Sequence, residues 1–187
     1  MARVPARLAA VLAVLLCAAA VVPAAAQADE QRSTRQACAG AELVPGPDNL
    51  AAVRAAVVCL HNRERTARGL PRLREQRQLR TAAQGHADHM VAARFFAHDA
   101  PDGGDFADRI LGTGYGRNAR LSLGENIAYA SGGGTTVAAI HAMWMGSPGH
   151  RANILQRRFR EIGIGIALGA PDGGDGATYA ADFGARR

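Results

Sequence analysis

The chain has 187 residues and a formal net charge of +6, and all 22 of its basic Lys/Arg positions are arginine. That length suits one domain with its own core and leaves no room for a large multidomain enzyme. Apolar residues make up 48% of the chain, which excludes a disordered polymer, and only one long apolar run occurs, which excludes a multi-span membrane protein.

That run sits at the start. Arg3 and Arg7 precede an apolar stretch from Leu8 to Val22, and Ala24-Ala25-Ala26 follows. This layout predicts a secretory signal peptide over 1–26, with cleavage leaving a chain that begins near Gln27 or Asp29 and carries +4 once Arg3 and Arg7 are gone. Cys17 is discarded with the leader; Leu16 before it is not the small residue a lipoprotein anchor needs. Cys38 and Cys59 then form an even pair in an exported chain, so a disulfide closing 21 residues is expected, with two free thiols as the alternative.

Residues 27–48 are polar and read as a tether. Asp48 or Asn49 is placed to cap a helix carrying Leu50, Val53, Val57 and Leu60 at helical spacing, with Gly69 as its stop. A second helix is predicted over Arg77–Arg94, with Leu79, Ala83, His86 and Met90 on one face. A loop over His98–Asp105 and a short helix over Phe106–Leu111 follow. Gly124–Ala130 reads as a strand. Thr135 or Thr136 caps a third helix through Val137, Ile140 and Trp144, which Pro148 breaks. Glu161–Leu168 and Thr178–Phe183 read as a hairpin around the turn 171–176. Early helices and a late hairpin give an α+β class. The pentapeptide Pro-Asp-Gly-Gly-Asp occurs at 101–105 and again at 171–175 with unrelated flanks. Each copy is turn chemistry, and neither has the alternating acids and closing Glu of a calcium loop.

Several motifs then fall in one order: His61-Asn62-Arg63-Glu64-Arg65, Gly69-Leu70-Pro71, Phe96-Ala97-His98, Gly124-Glu125-Asn126-Ile127-Ala128, Trp144, Ser147-Pro148-Gly149-His150-Arg151-Ala152-Asn153-Ile154-Leu155 and Gly163-Ile164-Gly165. In this the chain resembles the cysteine-rich secretory, antigen 5 and pathogenesis-related (CAP or SCP) superfamily, in its short bacterial secreted form, over residues 50–185. The resemblance implies a single-domain α-β-α sandwich with an antiparallel sheet, spanning 49–187. It also implies a cleft built from two His and two Glu, of which His98, Glu125 and His150 match by motif. The fourth acid would stand three residues after Trp144, where this chain has Ser147.

His98, Glu125 and His150 are a donor set for a weakly bound zinc-like cation, although no cofactor is required. Without an ion, the two imidazoles would hydrogen-bond to Glu125 and orient loops. Asn126 and Ser147 complete the expected cleft. The missing second acid favours a non-catalytic extracellular module that binds a small apolar ligand, a cell-wall component or a protein. The alternative is a divalent-metal-assisted hydrolase acting on an extracellular polymer or peptide. Elsewhere, His86 reads as a core histidine, His61 and His141 as helix-surface residues, and Trp144 as core. Asn62 is assigned to loop-backbone bonds. Arg151 either pairs with an acid beneath the cleft or is solvated. The run Arg63, Arg65, Arg68, Arg72, Arg74, Arg77 and Arg80 reads as a solvated face; a polyanion site is the alternative, but no aromatic residue interleaves and nucleic acid is not expected. No nucleophile elbow and no phosphate-cradling glycine loop is present.

Overall fold

The computed structural model describes residues 38–131 and 135–187. The leader, its cleavage site, Cys17 and residues 27–37 of the tether lie outside the described residues. In chain order the elements are α1 (Leu50–Thr66), β1 (Arg74–Glu75), α2 (Arg77–Ala92), α3 (Phe106–Gly112), β2 (Leu121–Ser131), α4 (Val137–Gly146), α5 (Pro148–Ile154), β3 (Glu161–Leu168) and β4 (Gly176–Arg186). The sheet runs β1-β3-β4-β2, antiparallel except for the two-residue parallel pairing of β1 with β3. Helices cover both faces, so the α-β-α sandwich of the α+β class is the observed fold.

Side-chain alternation assigns the layers. Ile162, Ile164 and Ile166 of β3 and Tyr179, Ala181 and Phe183 of β4 face one side, where Val53, Val57 and Leu60 of α1 and Ile140 and Trp144 of α4 complete the larger core. The intervening positions face α2: Ile127, Ala167 and Ala180 pack on Ala83, Ala87 and Met90. Gly163 and Gly165 also lie on that side, and a Cβ at either would collide with α2 backbone at Leu79–Arg80 or Ala83–Gln84. The Gly-Ile-Gly alternation therefore lets a helix lie directly on one face of β3 while isoleucines fill the other.

The helix ends follow local chemistry. Gln76 caps α2 and Thr136 caps α4, each side-chain oxygen accepting from first-turn N–H groups. Asn49 holds the N-cap position of α1, but its Oδ1 turns back to accept from the Gly46 N–H. The second helix stops at Ala92, two residues short of the expected end, because Arg94 takes a positive φ of 55°. Pro148 does break the third helix, and also starts α5 as its first residue, where the missing N–H costs nothing.

Cys38 and Cys59 are bridged, with Cα atoms 5.6 Å apart. The bridge joins α1 to residues 38–43, which pack on the larger core through Cys38, Ala41 and Leu43. The repeated pentapeptides form the same loop twice. Ala100 N–H donates to Gly104 and Gly103 to Ala100; Ala170 N–H donates to Gly174 and Gly173 to Ala170. The third residue of each copy, Gly103 or Gly173, has a positive φ, 95° and 87° respectively.

Two surface assignments are overturned. His61 and His141 are buried where α1 meets α4, with their Nδ1 atoms 3.2 Å apart, so one imidazole donates and the other accepts. Each stands four residues after a buried valine, Val57 or Val137, so helical spacing turns both inward, and the ring of Trp144 packs edge-on against His61. Arg65, assigned to a solvated face, is also fully buried.

Candidate functional site

The centre of the cleft is Glu125, on the α2 side of β2 and only 4% exposed. His98, from the loop after α2, donates from Nδ1 to Glu125 Oε1 at 2.8 Å. Arg109 of α3 donates to Oε2 at 2.8 Å and also to the His98 carbonyl at 2.9 Å, so one guanidinium fixes both partners. His98 itself is exposed at the surface. Its bond to Glu125 raises its pKa above the ordinary imidazole value, against a smaller opposing effect of burial. Burial alone would raise Glu125, but His98 and Arg109 outweigh it and hold the carboxyl below its usual range.

His150 enters from α5. Burial lowers its pKa, and the charge of the nearby His98 lowers it further. Asn126 holds the start of that helix: its Nδ2 donates to the His150 carbonyl at 2.9 Å, while Asn153 donates to Asn126 Oδ1 at 2.9 Å and to the Glu125 carbonyl at 3.0 Å. Asn126 is fully buried, so its part is to position the loop. Ser147, half-buried between α4 and α5, has a backbone N–H bonded to the Trp144 carbonyl.

Beside His150 opens a groove of about 280 Å³ lined by Phe96, Ile127, Tyr129, Met143 and Trp144, with Ser147 at its polar side. Phe96 and Met143 are 44% and 52% exposed. Trp144 is core, as expected, and its Nε1 donates to the Ile127 carbonyl at 3.1 Å, so one ring serves both the interior and the groove wall.

Three contributors were not legible in the sequence. Arg109 sits in a short helix with no motif around it. Asn153 lies within a matched motif, but only the fold shows that it bonds β2. Asp182 stands opposite Glu125 in the β2–β4 register, 1% exposed, with neither carboxylate oxygen hydrogen-bonded. Burial and then Glu125 push its carboxyl well above the normal range. His86 flanks the cluster as a core histidine, donating from Nε2 to the Ala97 carbonyl at 2.9 Å. Asn62 pairs with Leu73 through both its N–H and C=O, and Arg151 is exposed.

In this arrangement Glu125 is not free to ligate a zinc-like ion. Both oxygens of Glu125 carry hydrogen bonds, one of them from a guanidinium whose charge opposes a cation. No group of three or more His, Cys, Asp or Glu among the described residues is spaced to hold a metal. What the site offers is an imidazole surface over a buried ion pair, next to an apolar groove. No helix among the described residues is long and apolar enough to cross a membrane.

Comparison with known proteins agrees with the fold and motifs. An uncharacterized protein of Bacillus subtilis (strain 168), YkwD, is 32% identical over 142 residues, covering 74% of this chain and 53% of the relative. An extracellular protein containing an SCP domain from Bacillus anthracis str. Ames superposes with a TM-score of 0.58 at 28% identity, over 74% of this chain and 43% of that one. The chain thus spans about half the length of these two relatives. An outer surface protein of Borrelia burgdorferi, at 19% identity, shares the fold with a TM-score of 0.63 over 78% of this chain and 100% of that one. The sequence model of the cysteine-rich secretory protein family matches residues 58–181, and the chain belongs to that CAP family.

Proposed function

We propose that this CAP domain is a secreted, non-catalytic module that binds a small amphiphile, with its apolar part in the Phe96–Met143 groove and its polar end at His98 and His150. The observation that carries this reading is the groove of about 280 Å³, apolar along its length and polar only at the His150–Ser147 side. Covering exposed Phe96 and Met143 is favourable, at roughly 25 cal/mol per Å² of apolar surface. The imidazoles of His98 and His150 supply ring nitrogens at that end for a carboxylate or similar polar head. Secretion is supported by the leader pattern of residues 1–26 and by the extracellular Bacillus anthracis relative. A cell-wall component or a surface protein could present such a group.

Trp144 is the only tryptophan, so its fluorescence reports on the groove directly. Titration of the protein with decanoate should shift that emission, and decylamine should do so more weakly. Met143→Glu should weaken decanoate binding at least tenfold without unfolding the protein, because the side chain is exposed. An unresponsive parent protein would remove the groove as a binding site.

A further inference from the structure

A second concave site lies on the other side of α2, and it shares no residue with the cleft. Arg54 of α1 and Arg77 and Arg80 of α2 line a cavity of about 220 Å³ whose floor is β3 at Ile162–Ile164. Arg54 and Arg80 also border an adjoining hollow of about 520 Å³ that continues past Leu50 and Thr81. The two therefore form one groove.

Other arginines are committed to the fold: Arg65 and Arg109 to backbone and carboxylate groups, Arg186 to Glu161. Among the described residues, the guanidinium groups of Arg54, Arg77 and Arg80 have no ion pair. Only Glu75 at the rim offsets them. Three guanidinium groups from two helices around one hollow match an oxyanion with more than one charge.

The floor adds a donor. The edge of β3 is covered by β1 at Glu161 and Ile162, and by the side-chain amide of Gln84 at Ile166, which both accepts from the Ile166 N–H and donates to its carbonyl. Ile164 shares the parity of Ile162 and Ile166, so its N–H and C=O point to the same edge. It lies between the two covers, in the groove. That N–H is placed to donate to an oxyanion and that carbonyl to accept from a hydroxyl group. Gln76 takes the Gln78 and Leu79 N–H groups through its side chain and the Arg80 N–H through its carbonyl, so the start of α2 contributes its dipole rather than free donors.

We propose that this groove binds a phosphate ester carried on a hydroxyl-bearing chain, with the phosphate among Arg54, Arg77 and Arg80 and the hydroxyls along the Ile164 edge and Thr81. Such groups occur both as free polyol or sugar phosphates and as units of phosphodiester-linked polymers.

The test is an amide-shift titration of the folded protein with glycerol 3-phosphate, inorganic phosphate and glycerol. Glycerol 3-phosphate should move the Gly163 and Ile164 amide signals saturably, inorganic phosphate should bind several-fold more weakly, and glycerol should not bind. Arg54→Gln, Arg77→Gln and Arg80→Gln should each weaken binding about tenfold, and Arg80→Lys should recover part of it. A doubly substituted Arg157→Gln, Arg158→Gln protein, which loses two charges elsewhere, should bind normally. Repeating the titration with linear poly(glycerol phosphate) separates the sources: affinity rising with chain length assigns a polymer, and unchanged affinity a free ester. No saturable shift, or equal weakening by the Arg157/Arg158 control, would overturn the site. Equal affinity for inorganic phosphate would overturn the assignment of an ester.

Discussion

Arg65 carries more of the fold than any motif assigns to it. From α1 its guanidinium donates to the carbonyls of Pro71, Ile154, Gln156 and Phe159, at 2.8–2.9 Å, and so clamps two segments, the chain after α1 and the α5–β3 connection, to one helix. Among the described residues no carboxylate pairs with it, and burial lowers its pKa to about 10. Leaving buried acceptors unpaired costs about 1–3 kcal/mol each, though not additively. Arg65→Met should therefore lower stability by at least about 3 kcal/mol, and Arg65→Lys should recover little, because one ammonium cannot reach four divergent carbonyls. Urea denaturation measures both; a loss no larger than that of exposed Arg68→Met would refute the clamp. Trp144→Ala should cost about 3–5 kcal/mol as a core truncation, and the same urea midpoint reads it.

At the scale of elements, the closest contact is α2 on β3. Gly163→Ala would place a methyl group against the backbone of Leu79 and Arg80, which has no freedom to withdraw as a side-chain tip would. Gly163→Ala should shift the thermal midpoint down by more than about 10 °C or abolish folding, whereas Gly85→Ala, with open space around it, should be neutral or slightly stabilising. The same elements show what periodicity can reveal. Strand alternation and helix spacing placed α1, α2, α4 and the β3–β4 hairpin correctly, because a buried face writes its period into the sequence. The two-residue β1 is too short to carry a period, and α5 went unread because Pro148 reads only as the end of the preceding helix. The disulfide pair was legible from the cysteine count once Cys17 was assigned to the leader. Arg109 and Asp182 were not, because each is joined to Glu125 only by tertiary contact or strand register. His61 and His141 were misplaced for a related reason: a polar ring reads as surface until a partner ring of complementary protonation lies opposite it.

Those histidines give the whole molecule a pH dependence with a definite sign. His61, His86, His141 and His150 all have lowered pKa values, with burial the leading cause in each. A depressed group contributes stability that is present above the unfolded value of about 6.5 and is lost as pH falls through the folded value. His98 runs the other way: its value is raised by Glu125, so its contribution is present below about 6.5 and lost as pH rises through the folded value. Asp182, raised well above its ordinary value, acts in the same direction as His98. Four depressed imidazoles still outnumber these two raised groups, so unfolding takes up protons below neutrality and the protein should weaken between pH 7.5 and pH 5.5. His141→Gln removes one buried imidazole and separates the Nδ1 pair, so it should make that loss shallower even if it lowers stability at pH 7.5. His98→Gln removes the opposing group and should make the loss steeper. Urea midpoints of the parent and both variants at the two pH values decide it. A parent protein as stable at pH 5.5 as at 7.5, or variants that change the slope in the same direction, would show that the buried imidazoles do not control the acid response.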